Sequence, residues 1–252
     1  LAAGLLAAHW LAGLGWSVAA VYSAIVLATG PTVVTPLVKQ IRLSSPLSDV
    51  LEAEGLVLEP VGAVLALLLL ELVVGDLHGW RELFIGLFVR LGGGVLIGTF
   101  AGLLLSEGLK RLRSASFIGI RLQVTLGVVF LLYGVCEWIL PESGLPASVA
   151  AGFVVGQRPS TQANELDELI RELAQLAITM LFPLLAADVS WGELSPLGWG
   201  GVSCVLVLML IVRPVAVTIA TIGLPLDFKQ KIFLGWLAPR GIVTAAVASL
   251  FS

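Results

Sequence analysis

The 252-residue sequence is poor in charge, in cysteine and in histidine. Charged residues make up 12% of the chain, against about 25% in ordinary soluble domains. The net charge is −3 and no block of Lys and Arg occurs, which excludes nucleic acid as a partner because phosphate binding needs concentrated positive charge. Cys136 and Cys204 lie singly in apolar runs, so we predict neither a disulfide nor a metal site from them.

The sequence also lacks the short motifs of common enzyme classes. It contains no Gly-x-Ser-x-Gly, no His-Glu-x-x-His and no Cys-x-x-Cys, which removes the residues that hydrolases, zinc proteases and thiol redox enzymes need. We therefore predict a protein that is not an enzyme and that carries no cofactor.

What the sequence does contain is long apolar runs. Hydrophobic residues make up 58% of the chain and the mean hydropathy is +1.03. Runs close to the ~20 residues that cross a bilayer recur along the whole length. The predicted fold is an all-α polytopic membrane protein with about nine membrane segments, at 2–14, 16–37, 50–75, 82–105, 117–140, 146–156, 169–188, 198–222 and 232–252.

The basic residues between these segments give an orientation, because cytoplasmic loops carry the excess of Lys and Arg. One set of alternate loops contains only Arg81. The other set, predicted to be cytoplasmic, contains nine basic residues: Lys39, Arg42, Lys110, Arg111, Arg113, Arg158, Arg171, Lys229 and Lys231. The chain begins at Leu1 and stops at Ser252 within an apolar segment, and we expect a single transmembrane transporter domain over 1–252, truncated at both ends.

Ionisable residues inside apolar segments mark the candidate site, because a charge at the bilayer centre costs about 2.5–3.5 kcal/mol even on insertion scales. Glu54 and Glu59 open the third segment, and Glu59 is followed directly by Pro60 and apolar sequence. Arg240 follows a proline in the last segment and needs a buried anion, for which Glu54 is a natural partner. Glu59 is then left as an intramembrane carboxylate without a structural explanation.

The second segment is interrupted near its middle by Ala28-Thr29-Gly30-Pro31-Thr32. Gly and Pro together break a helix, and irregular backbone is tolerated in a membrane only where it is buried or lines a cavity. Broken helices present carbonyl groups and helix ends to transported ions. This interruption, centred on Gly30 and Pro31, therefore favours a transporter.

Together these motifs resemble the sodium/hydrogen exchanger family of monovalent cation:proton antiporters over essentially the whole length. Thr29-Gly30-Pro31 is similar to the family's Thr-Asp-Pro break, and Pro239-Arg240-Gly241 to its late Arg-Gly motif. The stretch from Glu54 to Glu59 is similar to its Glu-Ser-x-x-Asn-Asp helix. The sequence departs from the family at Gly30, Gly55, Leu58 and Glu59, where the family has an acid, a hydroxyl residue, asparagine and aspartate.

The resemblance implies an inverted-repeat helical bundle with a broken helix, and a homodimer. It places Glu59 in the position of the transporting aspartate, Thr29 as a ligand of the cation, and Glu54 with Arg240 as the structural ion pair. The implied partners are H⁺, a monovalent cation (Na⁺, K⁺ or Li⁺) and the lipid bilayer, and no other metal is expected. With one carboxylate serving one proton or one cation, we expect electroneutral exchange in a bacterial-type plasma membrane.

Two other functions remain open at the level of the sequence. A carrier of anions or other organic solutes would need a positive charge at the site, which Arg213-Pro214 could supply. A membrane scaffold that transports nothing would explain the acids and arginines as pairs, but it leaves the break at Thr29-Gly30-Pro31 without a reason. An anion carrier would keep its activity after Glu59→Gln, whereas an antiporter would lose it, so this variant separates those two readings.

Overall fold

The computed structural model describes residues 1–30, 47–77, 79–111, 118–157, 163–188, 198–224 and 226–237, with Val38, Ile41, Leu43 and Ser45. All regular structure in these ranges is helical, as predicted. The helices are α1 (Ala2–Trp10), α2 (Trp16–Leu27), α3 (Leu47–Val74), α4 (Trp80–Arg111), α5 (Ile118–Ile139), α6 (Gly144–Gly156), α7 (Ala163–Asp188), α8 (Gly198–Val207), α9 (Arg213–Ala220) and α10 (Phe228–Trp236). A π-helical turn, Leu208–Val212, joins α8 to α9 without a break.

Four stretches of helix in the described ranges are long and apolar enough to cross a membrane. They are Leu47–Val74, Trp80–Arg111, Gly119–Ile139 and Gly198–Ala220. At 1.5 Å per residue, the 28 residues of α3 extend about 42 Å, which exceeds the ~30 Å hydrocarbon core. The apolar helices α2 and α6 are shorter. These helices make the chain an integral, multi-pass membrane protein.

The chain falls into two compact units, the first formed by Leu1–His78 and Leu181–Ser252. In this unit α1 and α2 pack on α8 through small buried residues such as Ala7, Ala8 and Ala19. The start of α3 packs on α9 and α10 through Leu51, Val217 and Leu234. An Asp227 capping box, in which Asp227 and Gln230 bond each other's backbone N–H, begins α10. The core of this unit therefore surrounds the beginning of α3.

The second unit is Gly79–Met180, built from α4, α5, α6 and most of α7. Gly94, Gly98 and Gly102 recur at every fourth residue of α4 and are buried. A Cβ atom at Gly98 would lie 2.0 Å from the carbonyl oxygen of Ala147 in α6, so the two backbones touch. This is the close packing that small residues permit between membrane helices.

The helical class is confirmed, whereas the number of nine segments stays a prediction. The predicted segments 50–75, 82–105, 117–140 and 198–222 correspond to α3, α4, α5 and the continuous helix from α8 to α9. The segment 232–252 lies mostly outside the described residues. The single domain over 1–252 also stays a prediction.

Candidate functional site

The end of α2 supplies buried backbone that is not helical. The helix stops at Leu27, and Ala28 turns to an extended conformation with ψ 116°. Ala28, Thr29 and Gly30 are all buried, with Thr29 4% exposed. The last carbonyl groups of a helix have no partners within the helix and carry the negative end of its dipole. This end of α2 is therefore suited to a positive ion.

Thr29 adds a side-chain oxygen to this backbone. Its Oγ1 is buried and has no hydrogen-bond partner within the part of the chain that the structure describes. A buried hydroxyl without a bond costs about 1–3 kcal/mol, so its retention is unusual in a packed helix end. Pro31, the other half of the predicted break, lies outside the described residues.

Glu59 lies in the first half of α3 and is 7% exposed. The next residue, Pro60, is inside the helix and has no N–H to donate, so the carbonyl oxygen of Leu56 lacks its usual helical donor. A buried carboxylate and a carbonyl without its helical donor therefore occur within one turn of α3. Both groups are acceptors, which is the polarity that a cation or a proton requires.

Gly62 brings the end of α2 against the face of α3 that carries Glu59. Residues 59 and 62 are three apart and share a helix face. A Cβ atom at Gly62 would lie 2.7 Å from the Cβ, 2.9 Å from the Cα and 2.9 Å from the backbone nitrogen of Ala28. Because Thr29 follows Ala28 directly, the structure brings Thr29 and Glu59, two predicted site residues, into the same buried region.

Glu54 forms an ion pair with Arg213, at the start of α9. Arg213 donates from Nη1 to Oε1 and from Nη2 to Oε2 of Glu54, the second bond measuring 2.8 Å. Nη2 also donates to the carbonyl oxygen of Leu237 at 3.3 Å. The two side chains are only 15% and 18% exposed. A bidentate guanidinium–carboxylate pair of this kind is among the stronger hydrogen-bonded contacts in proteins.

The sequence assigned Glu54 to Arg240, which lies outside the described residues, so that pair stays a prediction. Arg213 is the partner that sequence reasoning missed. The sequence signal for Arg213 is its position inside an apolar segment next to a proline. Arg240 gives the same signal, except that its proline precedes it (Pro239-Arg240) whereas Pro214 follows Arg213. The sequence leaves open Arg213 as the positive charge of an anion site, whereas in the structure Arg213 is hydrogen-bonded to the carboxylate of Glu54.

A second polar cluster occurs in the second unit, where α5 turns into α6. The carboxylate of Glu137 accepts hydrogen bonds from the N–H groups of Glu142 at 2.8 Å and Gly144 at 3.0 Å. Glu142 has a φ of +63°, which is uncommon for a residue other than glycine. Burial, and then the charge of Glu137, raise the pKa of the Glu142 carboxyl, while Arg90 lowers it. The cluster holds a turn, and within the described residues no group of three metal-ligating side chains occurs.

The chain is similar to known proteins over its whole length. The model of a family described as "Sodium/hydrogen exchanger, transmembrane" matches residues 1–252. The "Probable Na(+)/H(+) antiporter 2" of Methanocaldococcus jannaschii is 26% identical over 91% of this chain and 56% of its own length. The Na(+)/H(+) antiporter NhaH of Halobacillus aidingensis is 26% identical over 96% of this chain and 62% of its own.

Among solved structures, the sodium proton antiporter MjNhaP1 from Methanocaldococcus jannaschii at pH 8 superimposes with a TM-score of 0.77. The match covers 97% of this chain and 62% of that one at 23% identity, and it shows that the fold is shared. The chain thus spans about six tenths of the length of these relatives.

Proposed function

Because the chain belongs to the transmembrane sodium/hydrogen exchanger family, we propose that its protein exchanges Na⁺ or K⁺ for protons across a membrane. The relatives named as Na⁺/H⁺ antiporters support the reaction class. The observation that carries the proposal for this chain is Glu59, a carboxylate 7% exposed in a membrane-spanning helix. Such a residue is costly in a membrane and is retained where an ion or a proton passes.

In this proposal the carboxylate of Glu59 binds either a proton or a cation, and the two compete. Oxygen ligands suit monovalent cations of this kind, and the proposed ligands beside Glu59 are the oxygens of Thr29 and of the end of α2, since Ala28 contacts Gly62 one turn after Glu59. Loading the cation requires the proton to leave, so each ion displaces the other. Alternating access then carries the occupied site from one side of the membrane to the other.

The proposed exchange is electroneutral. Gly30 and Leu58 stand where the family has an acid and an asparagine, so they add no second charge beside Glu59. Glu54 is bonded to Arg213 and its charge is already balanced. One carboxylate then exchanges one proton for one cation, and the occupied site has the same charge in both states.

The ion pair between Glu54 and Arg213 has a structural role in this proposal. It joins α3 to α9, and the bond to Leu237 adds the end of α10. An anion carrier would need an arginine free to meet its substrate, and Arg213 is engaged with Glu54. The observed pair therefore favours a cation exchanger over an anion carrier.

The decisive experiment measures cation-driven proton flux in proteoliposomes that hold the protein expressed from its complete reading frame. We expect Glu59→Gln to abolish flux with Na⁺, K⁺ and Li⁺, because the amide can neither release a proton nor balance a cation. Glu52→Gln is the matched control, since Glu52 lies two turns earlier in the same helix, and it is expected to leave flux unchanged. Collapsing the membrane potential with an ionophore is expected to leave the rate unaffected.

Flux that persists in Glu59→Gln would overturn the proposed site. Flux that depends on membrane potential would keep the site but exclude a neutral stoichiometry of one to one. The homodimer and the bacterial-type plasma membrane implied by the family resemblance stay predictions beside this experiment.

A further inference from the structure

Gly62, three residues after Glu59 in α3, contacts Ala28 at the end of α2. A side chain at this position would meet three atoms of Ala28 at 2.7 to 2.9 Å, whereas carbon atoms in contact prefer about 3.5–4.0 Å. Two of those atoms belong to the backbone, so a rotamer change cannot relieve the contact. Any residue larger than glycine must therefore move the end of α2 away from α3 by about 1 Å.

The surroundings leave this movement little room to be absorbed elsewhere. Ala28 is 2% exposed. The neighbours of Gly62 along α3 are at most 2% exposed: Ala63, Val64 and Ala66. Packed interiors respond to an added carbon by shifting the backbone. The shift therefore falls on the end of α2, because the helix stops at Leu27 and because Ala28, the residue that Gly62 contacts, is followed directly by Thr29.

We propose that Gly62 is a positioning residue that sets the distance between the oxygens at the end of α2 and the carboxylate of Glu59, and thereby the size of cation the site accepts. This inference rests on the proposed function, since it concerns the same site. Small ions need short contacts with their oxygen ligands, and larger ions tolerate longer ones. Absence of a side chain at Gly62 keeps the two sets of oxygens close enough for a small ion.

The inference predicts a specific change in ion preference. In Gly62→Ala the site widens, so the apparent KM is expected to rise about tenfold for Li⁺ and Na⁺, given that a 1 Å misplacement can cost up to about a hundredfold. The KM for K⁺ is expected to change by less than about twofold, and so is the maximal rate. Ala28→Gly, which removes one of the contacting carbons, is expected to shift the preference in the opposite direction, toward Li⁺.

Gly200→Ala is the control for a purely structural effect in the same unit. A Cβ atom at Gly200 would lie 2.5 Å from the carbonyl oxygen of Leu11, which is a clash of similar severity between α8 and the residue after α1. This variant is expected to lower thermal stability and yield while leaving the KM ratios among the three ions unchanged. Adding Ala28→Gly to Gly62→Ala is expected to restore part of the Na⁺ affinity.

The experiment measures KM and maximal rate for Li⁺, Na⁺ and K⁺ in proteoliposomes for each variant, with Glu59→Gln alongside. An equal rise of KM for all three ions, or a loss of rate alone, would overturn the role of Gly62. If Gly62→Ala does not fold, Ala28→Gly decides, and unchanged ion ratios in that variant reject the inference. Flux retained in Glu59→Gln would reject the proposed function itself, which separates the two failures.

Discussion

Arg213 is held by three hydrogen-bonded contacts, two to Glu54 and one to the carbonyl oxygen of Leu237. The side chains are mostly buried, so the pair is little screened by water. Removing one partner of such a pair leaves the other as an isolated buried charge, which costs about 3–5 kcal/mol. Each residue of the pair therefore stabilises the fold only while the other is present.

We expect Arg213→Gln to lower the thermal unfolding temperature in detergent strongly, because Glu54 then loses the guanidinium group that bonds both of its carboxylate oxygens. Arg213→Lys is expected to be intermediate, since an ammonium group keeps the charge but cannot form the paired bonds of guanidinium. The double variant Glu54→Gln/Arg213→Gln is expected to lose less than the sum of the single variants. Additive losses would mean that the two residues stabilise the protein independently.

Glu142 shows the opposite situation, a carboxyl whose charge the fold disfavours. Burial and the neighbouring Glu137 raise its pKa above the ordinary value of 4.5, against the effect of Arg90. The folded protein therefore binds this proton more tightly than the unfolded chain does. The resulting stabilisation is complete below the unfolded-state pKa and is lost as the pH rises through the folded-state pKa.

Glu142→Gln is accordingly expected to raise the unfolding temperature by more at about pH 8 than at about pH 4, because the raised pKa of Glu142 means that the fold disfavours the charged carboxyl, whose population grows as the pH rises. The measurement is thermal unfolding in detergent at both pH values. Glu168→Gln, at an exposed position of α7, is the control for loss of a surface carboxylate. A variant less stable than wild type at about pH 8 would show that Glu142 is instead held as an anion, by Arg90.

At the scale of elements, the contact between α4 and α6 depends on glycine at fixed spacing. Cβ atoms at Gly94 and Gly98 would lie 2.6 Å and 2.0 Å from backbone oxygens of Ser143 and Ala147. Both positions meet backbone, which cannot rotate away. The distance between these two helices is therefore set by the absence of a side chain at Gly94 and Gly98 of α4.

Gly98→Ala is expected to destabilise the protein by about 1–3 kcal/mol, the usual cost of forcing an extra carbon into a packed core. Gly92→Ala is a matched control in the same helix, since nothing lies within 4 Å of its added Cβ. The control is expected to be neutral or stabilising, because alanine favours helix over glycine by about 1 kcal/mol. Equal unfolding temperatures for the two variants would contradict the packing role.

The elements also show what the sequence could predict. Hydropathy reports whether a single segment is apolar enough to enter a membrane, which does not depend on its neighbours in the fold. The ends of the long helices α3 and α4 are therefore predicted to within a few residues, apart from the C-terminal extension of α4 to Arg111. The interruption after Leu27 could be predicted because Gly30 and Pro31 are local signals. The contact of Gly62 with Ala28 could not, since glycine within an apolar helix has the same appearance whether or not a neighbour approaches it.

At the scale of the whole molecule, the sequence predicted the class of protein, but it did not predict the contact between Arg213 and Glu54. Arg213 and Arg240 both lie in apolar segments beside a proline, and a one-dimensional pattern does not choose between them. That choice depends on how α3 and α9 pack through Leu51 and Val217. The roles of Glu59, Thr29 and Arg240 stay predictions, and the family itself is established by the match over residues 1–252.

The single carboxylate of Glu59 also limits how far the proposed exchanger could work. If each cation that moves is matched by one proton, no net charge crosses the membrane, so the membrane voltage does not contribute to the driving force. Only the concentration ratios of the cation and of the proton across the membrane remain. A difference of one pH unit, worth about 1.4 kcal/mol, then supports at most a tenfold gradient of the cation. A cell that relied on this protein would thus have a salt tolerance bounded by the acidity of its surroundings.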